Sequence, residues 1–106
     1  MDARLQEIVK DLRRRLEQLY GPRLLGLVLY GSQARGDAEA GSDIDVLVVL
    51  EGEVEPTLEI ARTEFDVADL SLERNVVVTC LFVSREQYER ERSPLLLNVR
   101  REGIAV

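Results

Sequence analysis

The residues of this sequence best suited to chemistry are two aspartates and a Gly-Ser pair. Asp43 and Asp45 open one apolar run, and Gly31-Ser32 closes the apolar run before it. Side chains two apart in a strand lie on the same face, so the two carboxylates should lie side by side. Carboxylates held that close repel each other unless a cation lies between them, and oxygen ligands of this kind suit Mg²⁺. The pair therefore predicts a magnesium site of the type used in phosphoryl transfer.

The Gly-Ser pair predicts a place for phosphate next to that metal. Gly31 has no side chain, so a phosphate chain could approach its backbone closely. Ser32 supplies a hydroxyl and begins a predicted helical turn, where backbone N–H groups favour anions. Arg35, in the same turn, could contact a phosphate or pair with an acidic side chain of the loop, and both interpretations stay open. Each aspartate alone would be a surface residue at a turn, whereas the combination indicates nucleotide binding.

The composition excludes several other chemistries. The chain has no His and a single Cys, so histidine bases, imidazole metal sites, disulfide frameworks and cysteine zinc sites are ruled out within one chain. A net charge of −6 argues against binding nucleic acid by bulk electrostatics. No apolar run approaches the ~20 residues that span a bilayer. The N-terminus has no signal-peptide pattern, so we expect a cytoplasmic protein.

Local sequence patterns place these residues within an α/β order of elements. Apolar spacing, Gly and Pro punctuation and capping signals define each segment. The sequence predicts helices over residues 2–19, 57–73, 84–90 and 95–102, a helical turn over 32–35, and strands over 24–30, 44–50 and 76–83. Because continuous apolar strands suit a sheet covered on both faces, we expect one domain, residues 1–106, with a small mixed sheet of three or four strands packed with helices.

The same patterns predict which side chains face the core. The first helix should bury its apolar stripe: Leu5, Ile8, Val9, Leu12, Leu16 and Leu19. The second long helix should cover the sheet with another: Leu58, Ala61, Phe65, Ala68 and Leu72.

Several polar and reactive side chains outside the motif have simpler interpretations. The arginines at positions 13–15 point away from the stripe of the first helix. We interpret them as a solvated face, with a partner or phosphate contact as the alternative. Cys80 is interpreted as a small buried hydrophobe, and Tyr30 as a packing residue rather than a substrate contact.

The string Gly31-Ser32-Gln-Ala-Arg-Gly, followed by Ser-Asp43-Ile-Asp45-Val-Leu-Val, resembles the minimal nucleotidyltransferase (MNT) family. This family belongs to the nucleotidyltransferases related to DNA polymerase beta, and the resemblance extends over most of the chain. It implies a nucleotidyltransferase fold and Mg²⁺-dependent transfer of a nucleoside monophosphate, AMP from ATP, to a hydroxyl of a partner protein.

The resemblance also implies residue roles and a partner. Asp43 and Asp45 would be the catalytic, metal-binding residues, and Gly31, Ser32 and Arg35 would bind the nucleotide. MNT proteins commonly pair with a small helical HEPN protein as antitoxin and toxin. Neither nucleic-acid nor membrane binding is expected, and a homo-oligomer stays open.

The sequence departs from the superfamily at one position. Active relatives generally carry a third carboxylate on a later central strand, but the predicted strand over 76–83 contains no Asp or Glu. Thr79 is its only strongly polar side chain, and Glu73 precedes it. Two alternatives therefore remain beside the enzyme: a module that neutralises a HEPN toxin by contact alone, and the catalytic half of a split enzyme that modifies a small molecule.

Overall fold

In the computed structural model, which describes residues 1–106, the chain forms five helices and four strands. The helices are α1 (Ala3–Tyr20), α2 (Ser32–Arg35), α3 (Pro56–Arg74), α4 (Arg85–Arg90) and α5 (Pro94–Glu102). The strands are β1 (Leu24–Tyr30), β2 (Ile44–Leu50), β3 (Val78–Ser84) and β4 (Ile104–Ala105). A single 3₁₀ turn, Gly21–Arg23, joins α1 to β1. No helix is both long enough and apolar enough to cross a bilayer.

The four strands form one mixed sheet in the order β3-β2-β1-β4. β1 runs antiparallel to β2 and to β4, whereas β2 and β3 are parallel and are connected through α3. The predicted α/β class and mixed sheet are therefore confirmed. β4 was not predicted, because two residues are too few for a periodic signal; it forms by pairing Ile104 and Ala105 with Leu29 and Val28.

The sheet is covered on both faces. On one face, α1 and α3 pack over the larger core cluster, which includes Leu12, Leu16, Val46 and Phe82. On the other, α5 and its neighbours pack over a smaller cluster built from Val28, Leu47, Val49, Leu96 and Val99. Capping residues in the sequence correctly mark the N-terminal starts of three helices. The side chains of Asp2, Ser84 and Ser93 accept hydrogen bonds from the first turns of α1, α4 and α5.

The predicted core face of α1 is correct except at its end. The first five residues of the stripe are buried, but Leu19 is 41% exposed. Tyr20 is buried instead, where its hydroxyl donates to Glu59 at 2.7 Å and its ring lies 6.4 Å from that of Phe82.

The predicted core face of α3 is wrong. Its predicted stripe faces solvent, and α3 buries Glu59, Thr63 and Leu70 instead. The buried Glu59 carboxylate is stabilised by the Tyr20 hydroxyl and by Arg23, whose guanidinium lies 3.4 Å away. The periodicity correctly grouped the residues that share a face, but it could not tell which of two faces packs on the sheet.

The interpretation of the arginines at 13–15 as a solvated face is wrong for Arg15. This residue is only 14% exposed. Its guanidinium reaches Asp11 at 3.0 Å, Asp69 at 2.9 Å and Glu73 at 3.1 Å, so it joins α1 to α3. The acidic partners on α3 were too distant in sequence to reveal this contact. Arg13 and Arg14 are more exposed and form ion pairs within α1.

Candidate functional site

The Gly-Ser pair lies where β1 ends and the short helix α2 begins. Gly31 has a positive φ of 75° and caps α2, so the chain turns sharply out of the sheet. The amide of Arg35 donates to the carbonyl of Gly31 at 3.1 Å, and that of Gly36 donates to Ser32 at 3.0 Å. These bonds confirm the predicted helical turn, in which Ser32 is the first helical residue.

Gly31 and Asp45 approach each other closely. A Cβ atom placed on Gly31 would lie 2.6 Å from the Asp45 carboxylate oxygen Oδ2. No larger residue fits without moving this carboxylate. The two halves of the motif, separated by a loop in sequence, are therefore in direct contact in the fold.

The two aspartates differ in their surroundings. Asp43 is exposed just before β2, whereas Asp45 is half-buried within it. Burial raises the pKa of the Asp45 carboxyl, and the negative charge of Asp43 raises it further. Each effect disfavours the ionised form, so a cation bound between the carboxylates would relieve the repulsion.

Tyr30 and Thr79 lie on either side of Asp45. Asp45 pairs with Tyr30 on β1 in antiparallel register and with Thr79 on β3 in parallel register. Tyr30 is half-buried against the smaller core cluster, in agreement with a packing role. Burial, with contributions from Asp45 and Cys80, raises its pKa to about 12, so the phenol stays neutral near neutral pH. Thr79 is exposed at the edge strand.

Arg35 pairs with acidic side chains. Its guanidinium lies 3.2 Å from the Asp37 carboxylate and 3.9 Å from that of Glu102. Arg35 was expected either to contact a phosphate or to pair with an acidic side chain, and in the structure it forms ion pairs. Because the arginine is 46% exposed, such pairs contribute only about 0–1 kcal/mol and leave the guanidinium free to exchange partners. Glu102 was not predicted near the motif, since nothing in the local sequence links it to Arg35.

The loop between the two halves of the motif is held by short-range hydrogen bonds. The Ser42 hydroxyl accepts from the Glu39 amide at 3.0 Å, and the Gln33 side chain donates to the Ser42 carbonyl at 3.2 Å. The second bond ties the loop to α2. Asp43 therefore follows a segment that is anchored on both sides.

The position for a third carboxylate is filled by a hydroxyl. Thr79 is the β3 residue beside Asp45. Glu73, at the end of α3, pairs instead with Arg15 of α1. No group of three or more His, Cys, Asp or Glu side chains comes together to hold a metal ion. The Asp43–Asp45 pair nevertheless fits Mg²⁺, which proteins usually hold with one or two carboxylates while substrate phosphates supply further ligands.

The sheet, the Gly-Ser turn and the carboxylate pair define the class of enzymes that transfer nucleotidyl groups. A family model described as "Nucleotidyltransferase domain" matches residues 9–99. The chain belongs to this family.

Individual relatives agree with this assignment. A Methanocaldococcus jannaschii protein, "Putative protein adenylyltransferase MJ0604", is 27% identical over 86 residues, which cover 81% of this chain and 80% of that protein. A second protein of the same organism, "Putative protein adenylyltransferase MJ0141", is 36% identical over 44 residues, which cover 42% of this chain and 44% of that protein.

Solved structures share the fold. A structure described as "putative minimal nucleotidyltransferase" is 31% identical, with a TM-score of 0.52 over 98% of this chain and 90% of its own. A chain from a toxin–antitoxin crystal structure with AMP-PNP is 25% identical, with a TM-score of 0.61 over 94% of this chain and 69% of its own. The chain is therefore a nucleotidyltransferase by family and by fold.

Proposed function

We propose that this protein is a Mg²⁺-dependent adenylyltransferase that transfers AMP from ATP to a hydroxyl of a partner protein. The partner would be a HEPN-type toxin, and the chain would act as its antitoxin in the cytoplasm, with residues 1–106 as one catalytic domain. The observation that carries this proposal is the contact between Gly31 and Asp45, which brings the Gly-Ser turn against a carboxylate of the motif.

Each residue of the motif has a role in this proposal. Gly31 and the backbone N–H groups from Ser32 onward hold the β- and γ-phosphates, since no side chain caps the N-terminus of α2. Arg35 exchanges its exposed carboxylate partners for a phosphate. Asp43 and Asp45 would hold Mg²⁺, which stabilises developing negative charge on the transferred phosphoryl group when it is bound.

The relatives support the type of acceptor. The M. jannaschii relative carries the name of a protein adenylyltransferase, and one structural neighbour is a toxin–antitoxin structure with an ATP analogue. In this chain, the edge strand β3 leaves Thr79 exposed beside Asp45. An acceptor side chain could therefore approach from this side.

Labelled ATP tests the proposal. The protein is incubated with Mg²⁺ and a candidate HEPN-type partner, using ATP labelled at the α- or the γ-phosphate. Transfer of AMP labels the partner from α-labelled ATP only; label from the γ-position would indicate a phosphotransferase instead. Asp43→Asn and Asp45→Asn should each abolish labelling, whereas Glu64→Gln, an exposed acid on α3, should not. No labelling under any metal or nucleotide condition would overturn the proposal.

One observation favours a second function, neutralisation by contact alone. Thr79 occupies the place beside Asp45 where a third carboxylate would stand. A double variant, Asp43→Asn with Asp45→Asn, separates the two functions in cells that express the toxin. If the variant protects these cells as well as the unaltered protein does, contact is sufficient; if protection is lost while the complex still forms, catalysis is required.

A further inference from the structure

Helix α3 displays an apolar seam to solvent along its whole length. The seam consists of Leu58, Ala61, Phe65, Ala68 and Leu72, of which Phe65 is 87% exposed and Leu72 84% exposed. Single exposed apolar residues are ordinary, but a continuous exposed stripe usually marks an interaction surface.

The spacing of the seam is that of a helix packed lengthwise against another helix. Its residues are separated alternately by three and four positions, a mean period of 3.5 that keeps one stripe facing a neighbouring helix. The buried residues Thr63 and Leu70 lie on the opposite side of α3, against the core. At about 1.5 Å per residue, the seam from Leu58 to Leu72 extends about 21 Å. α3 therefore has one face packed in its own core and one without a partner.

Side-chain size along the seam selects the orientation of the neighbouring helix. The large residues Leu58, Phe65 and Leu72 alternate with the small residues Ala61 and Ala68. When two copies of α3 run antiparallel, Phe65 faces Ala68 of the other copy and Leu72 faces Ala61. Large side chains then fit against small ones, as close packing requires. A parallel arrangement would instead oppose Phe65 to Phe65 and leave the alanines apart.

Charges beside the seam are also self-complementary in the antiparallel arrangement. Arg62 and Asp69 flank the same side of the seam, and within the chain they pair with Glu59 at 3.6 Å and Arg15 at 2.9 Å. Both side chains stay partly exposed, at 42% and 67%, so each also comes near the opposite charge of the second copy. On the other side, Glu64 comes near Ser71, so its carboxylate meets no like charge. Charges at such flanking positions set the choice and orientation of the partner helix.

We infer that α3 is a homodimer interface in which two copies of this chain pair their seams antiparallel about a twofold axis. The seam alone is smaller than the ~800 Å² per partner of a standard stable interface, so the association is weak and depends on concentration. α3 covers the sheet face opposite to the one on which Tyr30 packs beside Asp45. The candidate site of each copy consequently stays open in the dimer. The inference is independent of the proposed function.

Sedimentation velocity over a concentration series tests whether the dimer forms. The unaltered protein should shift from monomer to dimer at concentrations of about 100 μM and above, as expected for a weak interface. Phe65→Lys should weaken this association at least about tenfold, because it places a charge at the centre of the seam. Leu95→Lys is the matched control, since Leu95 is an exposed apolar residue on α5, 42% exposed and outside the seam. A protein that stays monomeric throughout, or an equal effect of the two variants, would overturn the inference.

Cysteine cross-linking tests the orientation. Antiparallel pairing brings residue 61 of one copy next to residue 72 of the other, but keeps each about 16 Å from its own counterpart, at ~1.5 Å per residue. A mixture of Ala61→Cys and Leu72→Cys proteins should therefore form a disulfide-linked dimer under mild oxidation, and neither variant should do so alone. Equal cross-linking of each variant with itself would indicate a parallel pair, and no cross-linking would exclude the seam; both results contradict the inference.

Discussion

A Cβ atom placed on Gly31 would lie 2.6 Å from the Asp45 carboxylate oxygen Oδ2, so the Gly-Ser turn and the strand that carries Asp45 are in contact. The backbone of Gly31 also adopts φ 75° and ψ −156°, a conformation that essentially only glycine tolerates. Both constraints act at a single residue. The position therefore links the stability of the fold to the geometry of the candidate site.

Gly31→Ala should consequently destabilise the protein and impair nucleotide binding. Backbone strain should lower the free energy of unfolding by about 1–3 kcal/mol, and displacement of the Asp45 carboxylate by the new Cβ atom should disturb the site. Urea denaturation and ATP titration measure the two effects. Gly36→Ala is the control, because Gly36 also has a positive φ but no atom within 4 Å of a Cβ. It should be milder in both measurements, and equal losses would show that the contact with Asp45 is unimportant.

Thr79→Asp should increase AMP transfer if a missing third carboxylate limits the reaction. Thr79 is exposed on β3 in register with Asp45, so a new carboxylate there would join the existing pair. A further carboxylate could add about 10²–10⁴-fold as a general base. Single-turnover transfer rates measure the gain, with Thr79→Asn as a control of similar size and no charge. An equal rate for the two variants would mean that the site does not use an acid at this position.

The Asp11–arginine cluster between α1 and α3 should make stability depend on pH in acid. Burial alone would raise the pKa of Asp11, but hydrogen bonds from Arg14 and Arg15 outweigh this and hold the pKa below its usual value of 3.8. Because the pKa is lower in the folded state, the stabilisation is complete above about pH 5 and is lost progressively as the pH falls through the unfolded-state and then the folded-state pKa.

Asp11→Asn tests this pH dependence. The variant should lower the free energy of unfolding by about 1–3 kcal/mol near pH 7, and the difference from the unaltered protein should shrink as the carboxyl becomes protonated below pH 4. Urea denaturation over a pH series provides the measurement, and Glu64→Gln provides an exposed control. A difference that stays constant down to strongly acidic pH would contradict the assigned role of the carboxylate.

Cys80 should react slowly with thiol reagents in the folded protein. Burial raises the pKa of its thiol to about 12, and the thiolate is the reactive form. At pH 8, labelling by a disulfide reagent should be about a thousandfold slower than in the unfolded chain, as expected from the smaller thiolate fraction. The colour change on addition of reagent, with and without denaturant, measures this ratio. Rapid labelling of the folded protein would show that the thiol is accessible.

Local sequence patterns were sufficient to predict the elements around the site and the residues of the motif. β1, α2 and β2 have the predicted bounds, because apolar runs and glycines act within a few residues of one another. The spacing of Asp43 and Asp45 at the start of a strand also required no distant information.

Which side chains meet across the fold depends on residues that are far apart in the sequence. α3 carries two candidate faces, and the one with Glu59 is buried because Tyr20 and Arg23 supply partners for its carboxylate. The distance between Gly31 and Asp45 and the position of Thr79 likewise follow from strand register. Periodicity records which residues share a face, whereas the choice between faces is a difference in packing free energy that depends on residues far away in the chain.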